Sequence, residues 1–386
     1  MIPYDVWAEI DLNALSNNIG GLKNLLKGSV RFMAVVKADA YGHGAVETAM
    51  RAIESGADAL GVARLGEAAA LRHAGISVPL LIFGKTRPLY ADKLVEYGLT
   101  QTVCSYGEAF DLSAKALSMG ARIRVHIKMD TGMGRLGIPV GGIGKSITDG
   151  RNRLQEVVDE VSAVSRLEGL VCEGIYTHFA AADEADKTMT FGQLALFNDI
   201  VQRLAQKGVR FEIRHAANSA AMIDMPETHL DMVRAGISIY GYYPSKDVNH
   251  QSVRLAPVMT MKSRIVHLKT VGPGFTVSYG ATARTDRKTT IATVAVGYAD
   301  GFSRLFSSRG SMTVRGVLVP VLGRVCMDYT MVDVGLVPDA AVGDEVVIFG
   351  KPETGVRCAD RLADQTGTIS YEVLTSISRR VARIYL

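Results

Sequence analysis

Eight short apolar runs alternate with amphipathic stretches through the first two thirds of this chain, and few folds accept such an alternation. The runs are residues 32–36, 59–63, 79–83, 101–104, 123–129, 170–177, 211–214 and 232–239. The first of them, 32–36, is continuously apolar, as expected of a strand covered on both faces in a parallel sheet. Before the first run, residues 11–26, and between the runs, residues 45–55, 65–73, 107–118, 154–164 and 193–206, place apolar side chains at helical spacing. The pattern predicts a (β/α)8 TIM barrel. An open doubly wound sheet is the rival, but no G-x-G-x-x-G follows the first strand, so dinucleotide binding has no support.

After Gly241-Tyr242-Tyr243-Pro244 and a polar linker the rhythm changes. Residues 259–271, 289–296, 311–319, 329–334 and 344–348 are rich in β-branched side chains and separated by Gly, Pro or Asp turns. They predict a C-terminal β-strand domain closed by a helix over 370–381. The expected division is 1–245 for the barrel and 246–386 for the β domain, with the first ten or so residues free to pack against the latter.

The chain has 386 residues, 48% of them hydrophobic, which is enough for two substantial cores. Its formal charge of +4 is small and its basic residues are scattered, so neither nucleic acid nor a membrane surface is implied as a partner. Asp5, Glu9 and Asp11 near the start are unlike a secretory leader, and a cytoplasmic location is expected. Cys104, Cys172, Cys326 and Cys358 form no CxxC pair, which argues against a zinc site or a disulfide framework, and no metal is expected. Gly144-Lys145-Ser146 lacks the glycine that a phosphate loop needs five positions earlier, where Pro139 stands, so residues 137–150 read as an irregular loop.

Polar residues collect where the strands end, on the face where such barrels hold their ligands. Lys37 ends the first barrel strand, where partial desolvation would favour a neutral, nucleophilic amine. Lys128 and Arg135 flank the exit of the fifth strand, His178 ends the sixth, Asn218 and Ser219 follow the seventh, and Arg234 and Gly236 belong to the eighth. Each has a plain structural reading: Lys37 snorkelling, the arginines in ion pairs, Ser219 capping the next helix. Together they describe a cationic pocket with backbone donors, able to hold a phosphate and a carboxylate.

The strings VVKADAYGHGA, KMDTGMGRLG, YTHFA, HAANSAA, VRAGISIYG, VSYGAT, VAVGYADGF, GRVCMDYTMVDV and ISYEV, in that order, resemble those of the pyridoxal-phosphate-dependent alanine racemases. The resemblance covers essentially the whole chain. It implies a barrel followed by a β domain, and a homodimer whose active sites are shared between subunits. By it, Lys37 would carry pyridoxal 5'-phosphate covalently. Tyr41, Ser219, Gly236, Ile237 and Tyr371 would hold the phosphate, with Asn218 and His178 beside the cofactor. Arg135 would bond the phenolic oxygen and contribute to substrate binding, steadied by Lys128, which is carbamylated in many members. Arg234 would face the pyridine nitrogen.

The same resemblance makes Lys37 and Tyr279 the two catalytic bases, Tyr279 acting across the dimer interface. Met327 would offer a backbone donor to the substrate carboxylate, with Tyr298 and Asp328 lining the approach and Cys326 nearby. Tyr329, Ala283 and Phe302-Ser303-Arg304 depart from the usual family pattern on what is expected to be the entry side, which bears on substrate breadth. The loop 141–149 is longer than usual. The implied activity is interconversion of L- and D-alanine, supplying D-alanine for peptidoglycan. A serine or broad-specificity racemase on the same scaffold, and a non-catalytic carrier of the cofactor, are the alternatives.

Overall fold

The computed structural model describes residues 4–141, 147–351 and 357–386. Eight parallel strands lie side by side in the order Met232–Ala235, Arg31–Val35, Ala59–Val62, Leu80–Ile82, Thr100–Val103, Ile123–Asp130, Leu170–Tyr176 and Ile213–His215. The ring is drawn together by Asp231 N–H, which donates to Arg214 O at 3.0 Å, and by Arg234 N–H, which donates to Ala217 O at 3.1 Å. The sequence folds this way because the strands are buried from both sides: every residue of Ala59–Val62, Leu80–Ile82 and Met232–Ala235 is buried. Helices pack outside, and their starts are fixed by side chains. Asp11 caps the helix Leu12–Lys23 by accepting from Ala14 N–H at 2.8 Å, and Ser105 caps Tyr106–Ser118.

The strands of the C-terminal part pair largely antiparallel around the long strand Met259–Val271. That sheet recruits both ends of the chain. The strand Val6–Ile10 pairs antiparallel with Met259–Val271 on one side and parallel with Ala382–Tyr385 on the other. No helix among the described residues is long and apolar enough to cross a membrane.

Four expectations need correction. The strand read over 232–239 stops at Ala235, because Gly236 adopts φ −107°, ψ −105° and turns the chain into the 3-10 segment Ile237–Tyr240. The run 311–319 is a hairpin, Ser311–Val314 against Val317–Pro320, turned by Arg315 and Gly316 at positive φ. The closing helix covers only Ser370–Thr375. Beyond it Arg383 donates to the carbonyls of Gly42, Ile377, Ser378 and Val381, holding the chain in a path that ends as a strand. Part of the loop read over 137–150 is helical, since a helix runs Ile147–Ser165; residues 142–146, including Gly144-Lys145-Ser146, lie outside the described residues.

Candidate active site

A cavity of about 590 Å³ lies where the C-terminal ends of the barrel strands meet the helix Ser370–Thr375. It brings together Lys37, Tyr41, Lys128, Arg135, His178, Asn218, Ser219, Arg234, Gly236, Ile237 and Tyr371. Their convergence from five strands and a second-domain helix follows from the topology alone, since every barrel strand delivers its C-terminal end to one face.

Lys37 stands two residues past the end of Arg31–Val35, at the head of a one-turn left-handed helix. Ala38, Asp39, Ala40 and Tyr41 all have φ between 52° and 54°. Such a turn costs roughly 1–2 kcal/mol per L-residue, so something must hold it. Glu67 accepts from Ala38 N–H at 2.8 Å and from Ala63 N–H at 2.7 Å, and Asp39 Oδ1 accepts from Ala45 N–H at 2.9 Å. Tyr240 donates its hydroxyl to Val35 O at 2.9 Å and stacks on Tyr41 with ring centroids 4.8 Å apart. The turn leaves Lys37 Nζ 6.0 Å from the centre of the Tyr41 ring. Burial, then the Arg135 guanidinium, pull the Lys37 amine below the ordinary lysine range, with Glu67 opposing.

At one end of the cavity sits a cluster of hydroxyls. Ser219 Oγ accepts from Gly236 N–H at 2.9 Å and lies 2.9 Å from Ser238 Oγ. The rings of Tyr41 and Tyr371 approach to 6.0 Å. The cap of the helix Ser219–Asp224 is Asn218, which accepts from Ala221 N–H at 3.1 Å, so Ser219 is not the capping residue.

At the other end lies Arg234, 4% exposed. Its Nη1 donates to His215 Nδ1 at 2.8 Å, and its Nη2 to Thr177 O and Ala216 O, both at 2.9 Å, and to His178 Nδ1 at 3.2 Å. Among the described residues no acceptor meets its Nε. Burial followed by the Arg234 charge keeps His178 and His215 far below the usual imidazole range, so both are neutral acceptors at Nδ1. Tyr176 stacks flat on His215 at 4.5 Å, and its ring also faces Lys128 Nζ at 5.5 Å. Burial, then Arg135 and Arg234, push Lys128 down to about 8. Sequence reasoning passed over Tyr176, His126 and His215. A histidine or tyrosine inside an otherwise apolar barrel strand was the available signal, and His215 even stood in one of the quoted strings.

Of the five site residues expected from the C-terminal domain, Tyr371 lines this cavity and Tyr279, Tyr298, Met327 and Asp328 do not. Tyr279 is 70% exposed on a 3-10 turn, and Tyr298, Met327 and Asp328 also reach the surface. Hydrogen bonds join the segments that carry them: Tyr298 N–H donates to Cys326 O, Ala299 N–H to Met327 O, and Ser278 Oγ to Arg324 O. Phe302 lies in the core, stacked on Phe306 at 4.7 Å, and so does not line an entry path.

The family models for the alanine racemase N-terminal and C-terminal domains match residues 10–244 and 258–385. The chain belongs to the alanine racemase family. A curated relative, the alanine racemase of Desulfosudis oleivorans, is 54% identical over 386 residues, covering 100% of this chain and 97% of that one. Among solved structures, the alanine racemase of Clostridium difficile 630 matches with a TM-score of 0.92 at 41% identity, covering 100% of this chain and 97% of that one. The alanine racemase of Bartonella henselae, solved with covalently bound pyridoxal phosphate, matches with a TM-score of 0.85 at 26% identity and full coverage of both chains.

Alanine racemases depend on pyridoxal phosphate, and the cavity fits that group. A lysine amine of lowered pKa suits a covalent attachment. The hydroxyl cluster suits a phosphate, and the open Nε–H of a buried arginine suits a ring nitrogen, an acceptor.

Proposed function

We propose that the protein interconverts L- and D-alanine with pyridoxal phosphate held in the barrel cavity, working in the cytoplasm as a homodimer that supplies D-alanine for peptidoglycan. The observation that carries this reading is the alignment, within one cavity, of the Lys37 amine, the hydroxyl cluster around Ser219 and the open Nε–H of Arg234.

Pyridoxal phosphate, when bound, draws electrons from an attached amino acid and so acidifies its Cα–H. Tyr41, Ser219 and Tyr371 hold the phosphate by their hydroxyls, with the backbone at Gly236 and Ile237 close against it. Arg234 would donate to the ring nitrogen from Nε, and because a guanidinium keeps its protons it would leave that nitrogen unprotonated. His178 and Asn218 border the ring, and Arg135 serves the phenolic oxygen and the substrate carboxylate.

Racemisation removes a proton from one face of Cα and delivers one to the other, so two bases must stand on opposite sides. Lys37 serves the face used by D-alanine. Tyr279 of the partner subunit serves the face used by L-alanine, and Met327, Tyr298 and Asp328 shape the approach from the same surface. Lys128, neutral in a larger fraction than an ordinary lysine, adds to carbon dioxide through Nζ with release of one proton, and the resulting carbamate faces Arg135.

Lys37→Ala tests the core of this reading. The expected result is loss of the bound cofactor's visible absorbance together with loss of D-alanine formation in a coupled assay. Racemisation surviving in that variant would overturn it.

A further inference from the structure

A line of three buried or half-buried side chains runs from Arg234 to the opposite, N-terminal mouth of the barrel. Arg234 Nη1 lies 2.8 Å from His215 Nδ1, His215 Nε2 lies 2.9 Å from His126 Nδ1, and His126 Nε2 lies 3.6 Å from Glu173 Oε2. The two imidazoles are fully or nearly fully buried, and Glu173 lines a small cavity at the barrel's foot. The chemistry of the first member gives the line a direction. A guanidinium can only donate, so His215 must accept at Nδ1 and carry its proton on Nε2. That proton points at His126 Nδ1, which must therefore accept, leaving the His126 proton on Nε2. It faces the Glu173 carboxylate, at a distance that makes an electrostatic contact rather than a full hydrogen bond.

The strand carrying Glu173 is distorted to bring this about. Pairing between Ile123–Asp130 and Leu170–Tyr176 slips between Val125, opposite Cys172, and His126, opposite Gly174, so Glu173 is the extra residue of a bulge. The slip turns Glu173 and Gly174 toward His126 in succession. A Cβ on Gly174 would come within 2.7 Å of the His126 ring, so the position needs glycine for the imidazole to lie flat over it.

We infer that Glu173 is a positioning residue: Arg234 sets the direction of the relay, and the negative charge of Glu173 holds the His126 Nε2 proton at its far end, which together keep Arg234 Nη1 on His215 and leave Nε for the cofactor. The inference rests on the reading that Arg234 faces the cofactor's ring nitrogen. The charged groups around the relay are Arg234 beside both imidazoles, and Arg31 and Arg124 beside Glu173. The cations nearest the imidazoles oppose their protonation, so both work as neutral acceptor–donor links.

The test uses ¹⁵N-histidine NMR on cofactor-free protein, with His126→Asn and His215→Asn to assign the signals, and kinetics on the holoenzyme. In the unsubstituted protein both imidazoles should be neutral Nε2–H tautomers from about pH 6 to about pH 9. Glu173→Gln keeps the shape but removes the charge and offers either an oxygen or an NH2 to His126, so Arg234 alone holds the direction and a minor population of reversed tautomers should appear. In the holoenzyme its kcat should fall by about three- to tenfold with KM nearly unchanged, and the bound cofactor's absorbance should shift. Glu173→Asp, which keeps the charge, should restore most of both. Unmixed tautomers and full kcat in Glu173→Gln would overturn the inference, as would a change confined to thermal stability. If the tautomers respond as expected while Arg234→Lys leaves the bound cofactor's spectrum unmoved, the assignment of Arg234 to the ring nitrogen fails, and the relay's role in the reaction fails with it.

Discussion

A Cβ added to Gly236 would stand 2.8 Å from the hydroxyl oxygen of Tyr41. The hydroxyl has no easy retreat, because the Tyr41 ring is buried and packed on Tyr240 and Tyr371. Gly236 itself is not at positive φ, so closeness rather than backbone freedom requires the glycine. Gly236→Ala should therefore displace the Tyr41 hydroxyl from the phosphate site and weaken cofactor binding by at least about tenfold, a loss of roughly 1.4 kcal/mol. Titrating cofactor-free protein with pyridoxal phosphate measures this; an unchanged Kd would remove Tyr41 from the cradle.

Lys128 supplies a prediction about pH. It is 4% exposed and its folded-state pKa is about 8 against an ordinary value of 10.5. The folded protein then binds fewer protons than the unfolded chain between those two values, so stability rises with pH through that window. Below about pH 8 the full penalty of holding the ammonium applies. In buffer free of carbon dioxide, Lys128→Met should be more stable than the unsubstituted protein by about 1–3 kcal/mol at neutral pH, with the gap closing as pH climbs toward 10.5. Denaturant unfolding across that range decides it. Adding bicarbonate should narrow the gap at neutral pH, since a carbamate replaces one of the crowded cations with an anion.

The barrel was readable because strands covered on both faces leave uninterrupted apolar runs, and the helix Leu65–His73 and the strand Met259–Val271 have the expected bounds. What the sequence hid was set by tertiary contacts. Nothing local marks Ala38–Tyr41 as left-handed, since none of these residues is glycine and the turn survives through Glu67 and Tyr240 from elsewhere in the chain. The Arg315-Gly316 turn carries only one residue suited to positive φ. For the site, the cationic and hydroxyl residues were legible at strand ends. His126, His215 and Glu173 were not, because their roles depend on which neighbours a bulged register brings opposite them. An interfacial place for Tyr279 was expected only through the family resemblance, since no local pattern around it marks one.

The left-handed turn makes a prediction that separates backbone strain from capping. Asp39 has φ 54° and accepts from Ala45 N–H, at the start of the helix Ala45–Glu54. Both Asp39→Ala and Asp39→Gly lose that bond, at about 1 kcal/mol. Alanine in addition keeps the steric cost of the left-handed conformation, from which glycine is exempt, so Asp39→Ala should be less stable than Asp39→Gly by about 1 kcal/mol. Equal stabilities by denaturant unfolding would show that the turn relaxes once the cap is gone.

Tyr279 is held out from its own domain by an uncomfortable backbone. Ser278 and Ala281 have φ of 65° and 48°, and a non-glycine residue at such angles persists only when its surroundings insist. Here Ser278 Oγ is bound to Arg324 O, and Gly323 is pressed so close that a Cβ on it would meet Val277 O at 2.7 Å. The turn leaves Tyr279 70% exposed on its own chain, whereas in the proposed dimer it would present the phenol to the neighbour's cavity. Tyr279→Phe removes the hydroxyl and leaves the ring, so the dimer and the cofactor should persist. Exchange of the L-alanine Cα proton in D2O should slow by on the order of a hundredfold or more, with D-alanine exchange at Lys37 much less affected. Proton NMR of each enantiomer reads the two rates separately, and equal slowing of both would take Tyr279 out of the role of a face-specific base.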